Sequence, residues 1–287
     1  MLRLVEDDTV ALPRKANRAN GLCTCYFFGM QKWVLITGGS SGIGLELAKI
    51  FAARNYSLVL VARDGARLQK VADELAASGA TIKILAKDLS DKNASAEIFS
   101  ELQRENIFVS VLVNNAGFGR QGAFAKTSLP EQIEMIEVNI SSLVQLTHLF
   151  LQPMLARGEG RILNVASTAS FQPGPFMSIY YASKAFVFSF SYALSDELER
   201  TGITVTTLCP GPTQTPFHKR AGRSHSKKAL SFWMMSAEEV AEAGFRDLMH
   251  GKRVVIPGFL NKLGFLFAKL LPTKIPAKAA RKIISGG

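Results

Sequence analysis

Short apolar runs rich in β-branched residues alternate with helical patterns along most of this chain. Seven such runs follow Gln31, reading "WVLIT", "SLVLVA", "TIKILA", "VSVLV", "RILNVA", "ITVTTL" and "RVVIP". Strands that are apolar on both faces are typical of a parallel sheet covered by helices on both sides. The alternation therefore predicts an α/β fold, in which a single domain holds a doubly wound (Rossmann) parallel sheet of about seven strands.

The same pattern divides the chain into three segments. Residues 1–30 precede the first strand and are expected to be a disordered leader, with Met30 an equally good internal start. A signal peptide is disfavoured, because a strand begins a few residues after the short apolar run and no small-residue cleavage site separates the two. Residues 31–258 hold the doubly wound domain, with a candidate lid at about residues 216–235, where the regular pattern gives way to a basic loop. Residues 259–287 are expected to form a basic amphipathic tail.

One long helix is expected from about Pro130 to Gly158. Ser128 and Glu131 have the spacing of a capping box, and Pro130 suits a first helical turn. The helix includes the longest uncharged stretch of the chain, but Gln145, His148 and Pro153 interrupt it. No apolar run therefore reaches the roughly 18 residues expected of a membrane span.

The formal net charge of +11 is unevenly distributed. The segment His218–Lys228 carries five Lys and Arg, and the chain after Asp247 carries eight, with no acidic residue in either. This clustering indicates an anionic partner or substrate group, or simply a solvated basic surface, and it argues against a nucleic-acid-binding face. The three cysteines, Cys23, Cys25 and Cys209, lack metal-site spacing. We expect no metal and a reducing, cytoplasmic compartment.

A glycine-rich turn, "TGGSSGIG", runs from Thr37 to Gly44 between the first strand and the first helix. Its glycines allow a tight turn and a close approach of the backbone to a pyrophosphate, which the helix N-terminus stabilises. About twenty residues further on, an acidic residue would hold the ribose 2′-hydroxyl of NAD. Arg63 stands there instead and suits the 2′-phosphate of NADP, unless Asp64 turns in to take the ribose.

Further motifs stand at successive strand ends: Asp88, "NNAG" at Asn114–Gly117, Ser167, a Y-x-x-x-K pair and "PGPTQT". With Asn139 and the glycine turn, they resemble the short-chain dehydrogenase/reductase family over about Lys32 to Pro257. The resemblance implies a cofactor site formed by Thr37, Gly38, Ser40, Ser41, Gly42, Ile43, Gly44, Arg63, Asp88, Leu89, Asn115, Ala116, Gly117, Tyr180, Lys184, Pro210, Gly211, Thr213 and Thr215. It also implies dimers or tetramers packed through the long helix and the tyrosine helix.

Reducing a carbonyl places negative charge on its oxygen, so a proton donor and a hydrogen bond must already point at it. A tyrosine with a pKa of about 10 becomes a better acid and base near neutrality when a lysine ammonium stands close by. By the resemblance, Ser167 orients the substrate oxygen, Tyr180 exchanges the proton, Lys184 holds the nicotinamide ribose, and Asn139 holds a relay water.

Two adjacent tyrosines precede Lys184. At about 100° per residue, Tyr180 lies about 40° and Tyr181 about 60° from Lys184 around the helix, so geometry favours Tyr180 only slightly. The family pattern selects Tyr180, because only this tyrosine makes the Y-x-x-x-K spacing. Tyr181 is then expected to pack or to line the pocket.

An apolar substrate body is expected from the aromatic and methionine side chains near Ser167 and in the candidate lid: Phe171, Phe176, Met177, Phe217, Phe232, Trp233, Met234 and Met235. The leading hypothesis is an NADP(H)-dependent oxidoreductase that interconverts a carbonyl and a secondary alcohol on a hydrophobic small molecule. The second hypothesis is a 3-oxoacyl reductase, whose basic lid binds an acidic acyl-carrier protein or a coenzyme A phosphate. A non-catalytic NADP(H)-sensing scaffold is the third.

The tail has apolar residues at positions 259, 260, 263, 266, 267, 270 and 271, with Lys262 and Lys269 one heptad apart. This spacing predicts an amphipathic helix followed by basic residues. The helix either caps the substrate pocket, which we favour, or rests on an anionic membrane surface.

Overall fold

A seven-stranded parallel sheet forms the centre of the computed structural model, which describes residues 32–77, 79–217, 221 and 234–285. The strands are β1 (Trp33–Thr37), β2 (Ser57–Ala62), β3 (Ile82–Ala86), β4 (Val109–Asn114), β5 (Gly160–Val165), β6 (Ile203–Leu208) and β9 (Val254–Val255). Their order is β3-β2-β1-β4-β5-β6-β9, and every pairing is parallel. All seven sequence-predicted strands and the doubly wound fold are confirmed. The order reverses between β1 and β4, where such sheets bind ligands.

Helices cover both faces of the sheet. They are α1 (Gly42–Ala52), α2 (Gly65–Ala76), α3 (Ala94–Arg104), α4 (Leu129–Ile136), α5 (Ser142–Arg157), α6 (Ser178–Glu197), α7 (Ala237–Met249), α8 (Phe259–Leu270) and α9 (Lys274–Ser285). One core layer packs α1, α2 and α7 against the sheet, and the other packs α3, α5 and α6 against the opposite face. Because both faces are covered, β2 is buried over Ser57–Val61.

The helix expected from Pro130 to Gly158 is present, but a π-helical turn at Glu137–Ser141 divides it into α4 and α5. It ends at Gly158, whose φ of 69° is left-handed. The predicted capping box is wrong, since the Ser128 side chain makes no cap hydrogen bond. Glu131 instead accepts from Arg120, with 3.0 Å between Arg120 Nε and Glu131 Oε2, so its carboxylate does not reach back.

A small parallel pair, β7 (Thr213–Gln214) and β8 (Met235–Ser236), joins the two ends of the segment expected to form the lid. Most of that segment, with Phe232 and Trp233, lies outside the described residues, as does the expected leader. A capping box does form at Ser236 and Glu239, at the start of α7. Within the described parts of the chain, no helix is both long and apolar enough to cross a membrane.

Candidate active site

The glycine turn after β1 is shaped by close backbone packing. Gly38 and Gly42 adopt left-handed φ angles of 68° and 57°. At Gly44 a Cβ would lie 2.5 Å from the Gly38 carbonyl oxygen and against the Asn115 side-chain amide. The Ser41 side chain makes no cap hydrogen bond at the start of α1. Backbone N–H groups of the first helical turn can therefore serve an anion.

Thr37 ties this turn to the end of β4. Its hydroxyl accepts hydrogen bonds from the Asn115 and Ala116 N–H groups, both at 3.0 Å. The Asn115 side-chain amide donates to the Thr37 carbonyl oxygen at 2.9 Å. The two strand ends on either side of the switch point are thereby held at a fixed separation.

A cleft of about 580 Å³ lies along the carboxyl ends of the strands. Every residue expected in the cofactor site lines this cleft, except Thr37 and Gly44, which lie beneath the lining. Of the four expected catalytic residues, Ser167, Tyr180 and Lys184 line it and Asn139 does not. Residues from the ends of the six strands β1 to β6 and from α6 thus share one cavity, of a size that suits a cofactor and a substrate.

Arg63 occupies the end of the cleft where sequence reasoning expects a 2′-phosphate. Its side chain is 56% exposed, and its Nη1 lies 2.8 Å from Glu134 Oε1 and 3.7 Å from Asp88 Oδ2. Partial burial opposes the charge of Asp88, but hydrogen bonds from the Ser90 N–H and hydroxyl, with the Arg63 charge, hold its pKa below the usual range. Lys87, which the sequence analysis missed, lines the same end.

Lys184 is buried, with 5% of its surface exposed. Its Nζ donates to the Val165 carbonyl oxygen at 2.8 Å, which ties α6 to the end of β5. Burial lowers the pKa of Lys184 to about 8 and raises the pKa of the neighbouring Cys209 thiol to about 12. At neutral pH the lysine is thus charged and the thiol is neutral.

Asn139 lies in the π-helical turn, and its side chain is held by protein groups. Its Oδ1 accepts from the Phe118 N–H, and its Nδ2 donates to the Phe118 carbonyl oxygen and to the Ser183 hydroxyl, all at 3.0 Å. The Ser183 hydroxyl donates to the Tyr180 carbonyl oxygen at 2.7 Å. The side chain thus joins the loop after β4 to α6, behind the cleft, and its water-relay role stays a prediction.

The tyrosine pair lies close to Phe217, and Ser167 lines the same cleft. The Tyr180 ring centroid lies 5.2 Å from that of Phe217 and 5.9 Å from that of Tyr181. Ser167 follows β5 directly, and its hydroxyl accepts from the Ala169 N–H at 3.1 Å. Tyr181 also lines the cleft, and its ring packs so tightly on Gly174 that a Cβ there would overlap it.

Apolar side chains form the wall of the cleft near the tyrosines, but the set differs from the expected one. Met177 and Phe217 line it, whereas Phe171 packs on Phe188 and on Phe265 of α8, away from the cleft. Phe118 also lines the cleft, although the sequence analysis did not select it. Its position directly after "NNAG" at the end of β4 could have identified it. The expectation for Phe171 is wrong because its short 3₁₀ turn directs the ring outward, into a satellite cluster.

The helix α9 packs beside this wall. Ala280 and Ile284 share a buried cluster with Met177 and Ala221, and the Gln121 side-chain amide donates to the Ile284 carbonyl oxygen at 2.8 Å. Tyr181 packs against the same cluster. The second half of the tail therefore covers the rim of the cleft.

The site combines a glycine turn at the start of α1 with a cleft at the switch point of the sheet. A tyrosine and a buried lysine line that cleft. Together these features define the class of nucleotide-dependent oxidoreductases. The family model "short chain dehydrogenase" matches residues 32–226. The chain belongs to this family, which confirms the resemblance, and it is an enzyme of the type that acts on CH–OH and C=O groups with a nicotinamide cofactor.

Relatives of known name support this membership. The chain is similar to 17-beta-hydroxysteroid dehydrogenase type 3 of Mus musculus, with 35% identity over 74% of this chain and 70% of that protein. It is similar to a short-chain dehydrogenase from Sphingobium yanoikuyae in complex with NADPH, with a TM-score of 0.74 and 35% identity over 79% of this chain and 88% of that one. An actinorhodin polyketide ketoreductase variant with NADPH gives a TM-score of 0.71 and 28% identity over 79% and 95%.

Proposed function

We propose that the protein is an NADP(H)-dependent oxidoreductase that interconverts a carbonyl and a secondary alcohol on a hydrophobic small molecule. The observation that carries this proposal is that Ser167, Tyr180 and Lys184 line the same cleft as the glycine turn. The left-handed glycines and the uncapped start of α1 suit a pyrophosphate, and the buried Lys184 ammonium suits ribose hydroxyls. The described residues therefore fit a dinucleotide.

A nicotinamide cofactor held in this cleft would supply the hydride for carbonyl reduction or accept it during alcohol oxidation. The Tyr180 hydroxyl donates its proton to the oxygen on which negative charge develops, and the Ser167 hydroxyl donates a second hydrogen bond to that oxygen. The Lys184 ammonium stabilises the phenolate that Tyr180 becomes. The same groups run in reverse during alcohol oxidation.

The preference for NADP over NAD rests on the positive charges at the adenosine end. Arg63 and Lys87 both line the cleft there, and no acidic side chain stands at the Arg63 position. A guanidinium binds a phosphate bidentately, and a lysine adds a point charge. Two of the similar solved structures carry NADPH. We expect NADPH to be consumed faster than NADH, and equal or better turnover with NADH would contradict the proposal.

The hydrophobic substrate is proposed from the wall formed by Phe118, Met177, Tyr181 and Phe217. The similarity to a hydroxysteroid dehydrogenase supports a bulky apolar body. A 3-oxoacyl thioester, carried by an acyl-carrier protein or coenzyme A, is the second candidate, and the similarity to a polyketide ketoreductase favours it. The basic segment that would bind an acidic carrier lies mostly outside the described residues.

A cofactor-consumption screen separates these candidates. Purified protein would be assayed with NADPH and NADH against ketosteroids, retinoids, aromatic carbonyls, sugars and 3-oxoacyl thioesters. Turnover of bulky apolar ketones supports the first candidate, and turnover of thioesters supports the second. Binding of NADPH without oxidation across the whole panel would favour a non-catalytic NADP(H)-sensing scaffold, against which the intact catalytic set argues.

We also propose that the protein forms a homo-dimer or homo-tetramer in the cytoplasm. Exposed apolar side chains on the two expected interface helices support the oligomer, namely Leu129 and Ile133 on α4 and Phe186 and Tyr192 on α6. An isologous contact would bury them. Light scattering of the wild type and of Phe186→Asp tests this proposal, because a charge in the interface should lower the measured mass.

A further inference from the structure

The helix α8 carries its large apolar side chains on the side that faces away from the protein. Six of them are exposed: Phe259, Leu260, Leu263, Leu266, Phe267 and Leu270. Phe259 is 78% and Leu270 is 71% exposed. At about 100° per residue, all six fall within an arc of about 120°. A helix that covered its own domain would bury such an arc, so this face has no partner among the described residues.

Two contacts fix the rotation of α8 about its axis. The Asn261 side chain donates to the Pro257 carbonyl oxygen at 2.7 Å and packs against Gly211. The Phe265 ring lies 4.5 Å from that of Phe171, between centroids. Asn261 and Phe265 stand on the side opposite the apolar arc. The outward direction of that arc therefore follows from the packing of α8.

Basic residues accompany the apolar arc. Residues 259–285 contain six Lys and Arg and no acid. Lys262 and Lys269 are exposed, stand one heptad apart, and border one edge of the arc. An apolar face with lysines along its edge is the pattern of a helix that lies in the head-group region of an anionic bilayer.

We propose that α8 is a membrane-interface helix, which lies flat on an anionic phospholipid bilayer with its apolar arc toward the acyl chains. A membrane span is excluded for α8, since its 12 residues cover about 18 Å of a hydrocarbon core about 30 Å thick. A second copy fits less well, because an isologous contact would set the lysines of one α8 near those of the other with no acid in the segment. This proposal does not depend on the substrate or on turnover.

Helix α8 also contacts a residue that lines the cofactor and substrate cleft. Asn261 of α8 packs against Gly211, which lines the cleft. Helix α8 therefore lies between the proposed bilayer surface and this part of the cleft, while α9 covers the rim of the cleft.

Vesicle co-sedimentation of the full chain tests the proposal. We expect binding to vesicles of phosphatidylcholine with phosphatidylserine, weaker binding to pure phosphatidylcholine vesicles, and weakening by salt. Phe267→Ser should lower the partition onto anionic vesicles about tenfold. Phe124→Ser removes a similarly exposed phenylalanine far along the chain and should leave binding unchanged. Lys262→Gln with Lys269→Gln should reduce only the anionic preference, with Lys70→Gln and Lys92→Gln as the matched control.

Thermal unfolding and NADPH binding of each variant separate a lost membrane contact from a lost fold. Absence of binding to both vesicle types overturns the proposal, as does equal binding to both. A partition that Phe267→Ser leaves unchanged overturns it too. A drop in molecular mass for Phe267→Ser, measured by light scattering without lipid, would assign the face to a contact between copies and would also overturn it.

Discussion

The side-chain nitrogen of Lys184 lies 2.8 Å from the carbonyl oxygen of Val165. This contact joins the middle of α6 to the carboxyl end of β5 and holds the ammonium inside the cleft. The group is buried, and its pKa of about 8 records how strongly burial disfavours the charge. The fold therefore keeps a poorly solvated cation next to Tyr180, where the proposed chemistry uses it.

Lys184→Met should change the pH dependence of stability. At pH 7 both the folded and the unfolded chain hold the lysine proton, so the folded state bears the full cost of a buried ammonium. Between pH 8 and about 10.5 only the unfolded chain keeps the proton, so the stability of the wild type rises relative to the variant, by roughly 3 kcal/mol in all.

Denaturant unfolding of both proteins across this pH range, without nucleotide, measures the difference. Lys49→Met, at an exposed helix position, is the control and should show no such trend. A wild-type-to-variant difference that stays constant with pH would contradict the assignment of a depressed pKa to Lys184.

Tyr180→Phe should abolish turnover and leave NADPH binding largely intact, because it removes only the hydroxyl that exchanges the proton. Tyr181→Phe keeps the proton donor and should alter mainly KM or thermal stability. Steady-state rates and fluorescence titration of NADPH distinguish the two. The reverse result would transfer the catalytic role to Tyr181.

Glu134→Gln should tighten NADPH binding severalfold, because the Glu134 carboxylate, 2.8 Å from Arg63, competes with a 2′-phosphate for the guanidinium. Its effect on NADH should be small, since NADH lacks that phosphate. Arg63→Gln should weaken NADPH binding by about tenfold or more and leave NADH binding nearly unchanged.

Titration of each variant with both nucleotides reports the ratio of dissociation constants. Glu238→Gln, an exposed change of the same charge at the start of α7, controls for net charge. A ratio that does not respond to Arg63→Gln would remove the argument for NADP.

Gly44→Ala should destabilise the fold and weaken nucleotide binding. The added methyl group would meet the Gly38 carbonyl oxygen and the Asn115 side chain, both part of the junction between β1 and β4. We expect a loss of about 2 kcal/mol, measured by denaturant unfolding. Gly264→Ala is the control, because a Cβ at that helical position meets no atom within 4 Å and should not destabilise. Equal stability of the two variants would show that the turn tolerates displacement.

The exposed arc of α8 shows how far sequence reasoning reached in the tail. The spacing of its apolar residues predicted an amphipathic helix, and α8 is present. The sequence analysis treated the tail as one helix, which either caps the pocket or rests on a membrane surface. The chain instead forms two helices, of which α9 covers the cleft rim and α8 leaves its apolar face outward. Spacing shows that a face exists, whereas the direction of that face depends on what Asn261 and Phe265 contact.

The sequence by itself determined the seven strands, the helices between them and the glycine turn, because periodicity and turn chemistry act between residues close along the chain. The motifs at strand ends were also readable, since parallel strands bring those ends to one edge. Only the tertiary structure decided which partner each side chain meets. Glu134 accepts a hydrogen bond from Arg63, which lies 71 positions away in the chain. The Asn139 side chain is hydrogen-bonded to Phe118 and Ser183. Burial around Lys184 sets its pKa. These contacts and this pKa depend on long-range packing. Such packing brings together residues that are far apart along the chain, and the sequence around one of them does not indicate the other.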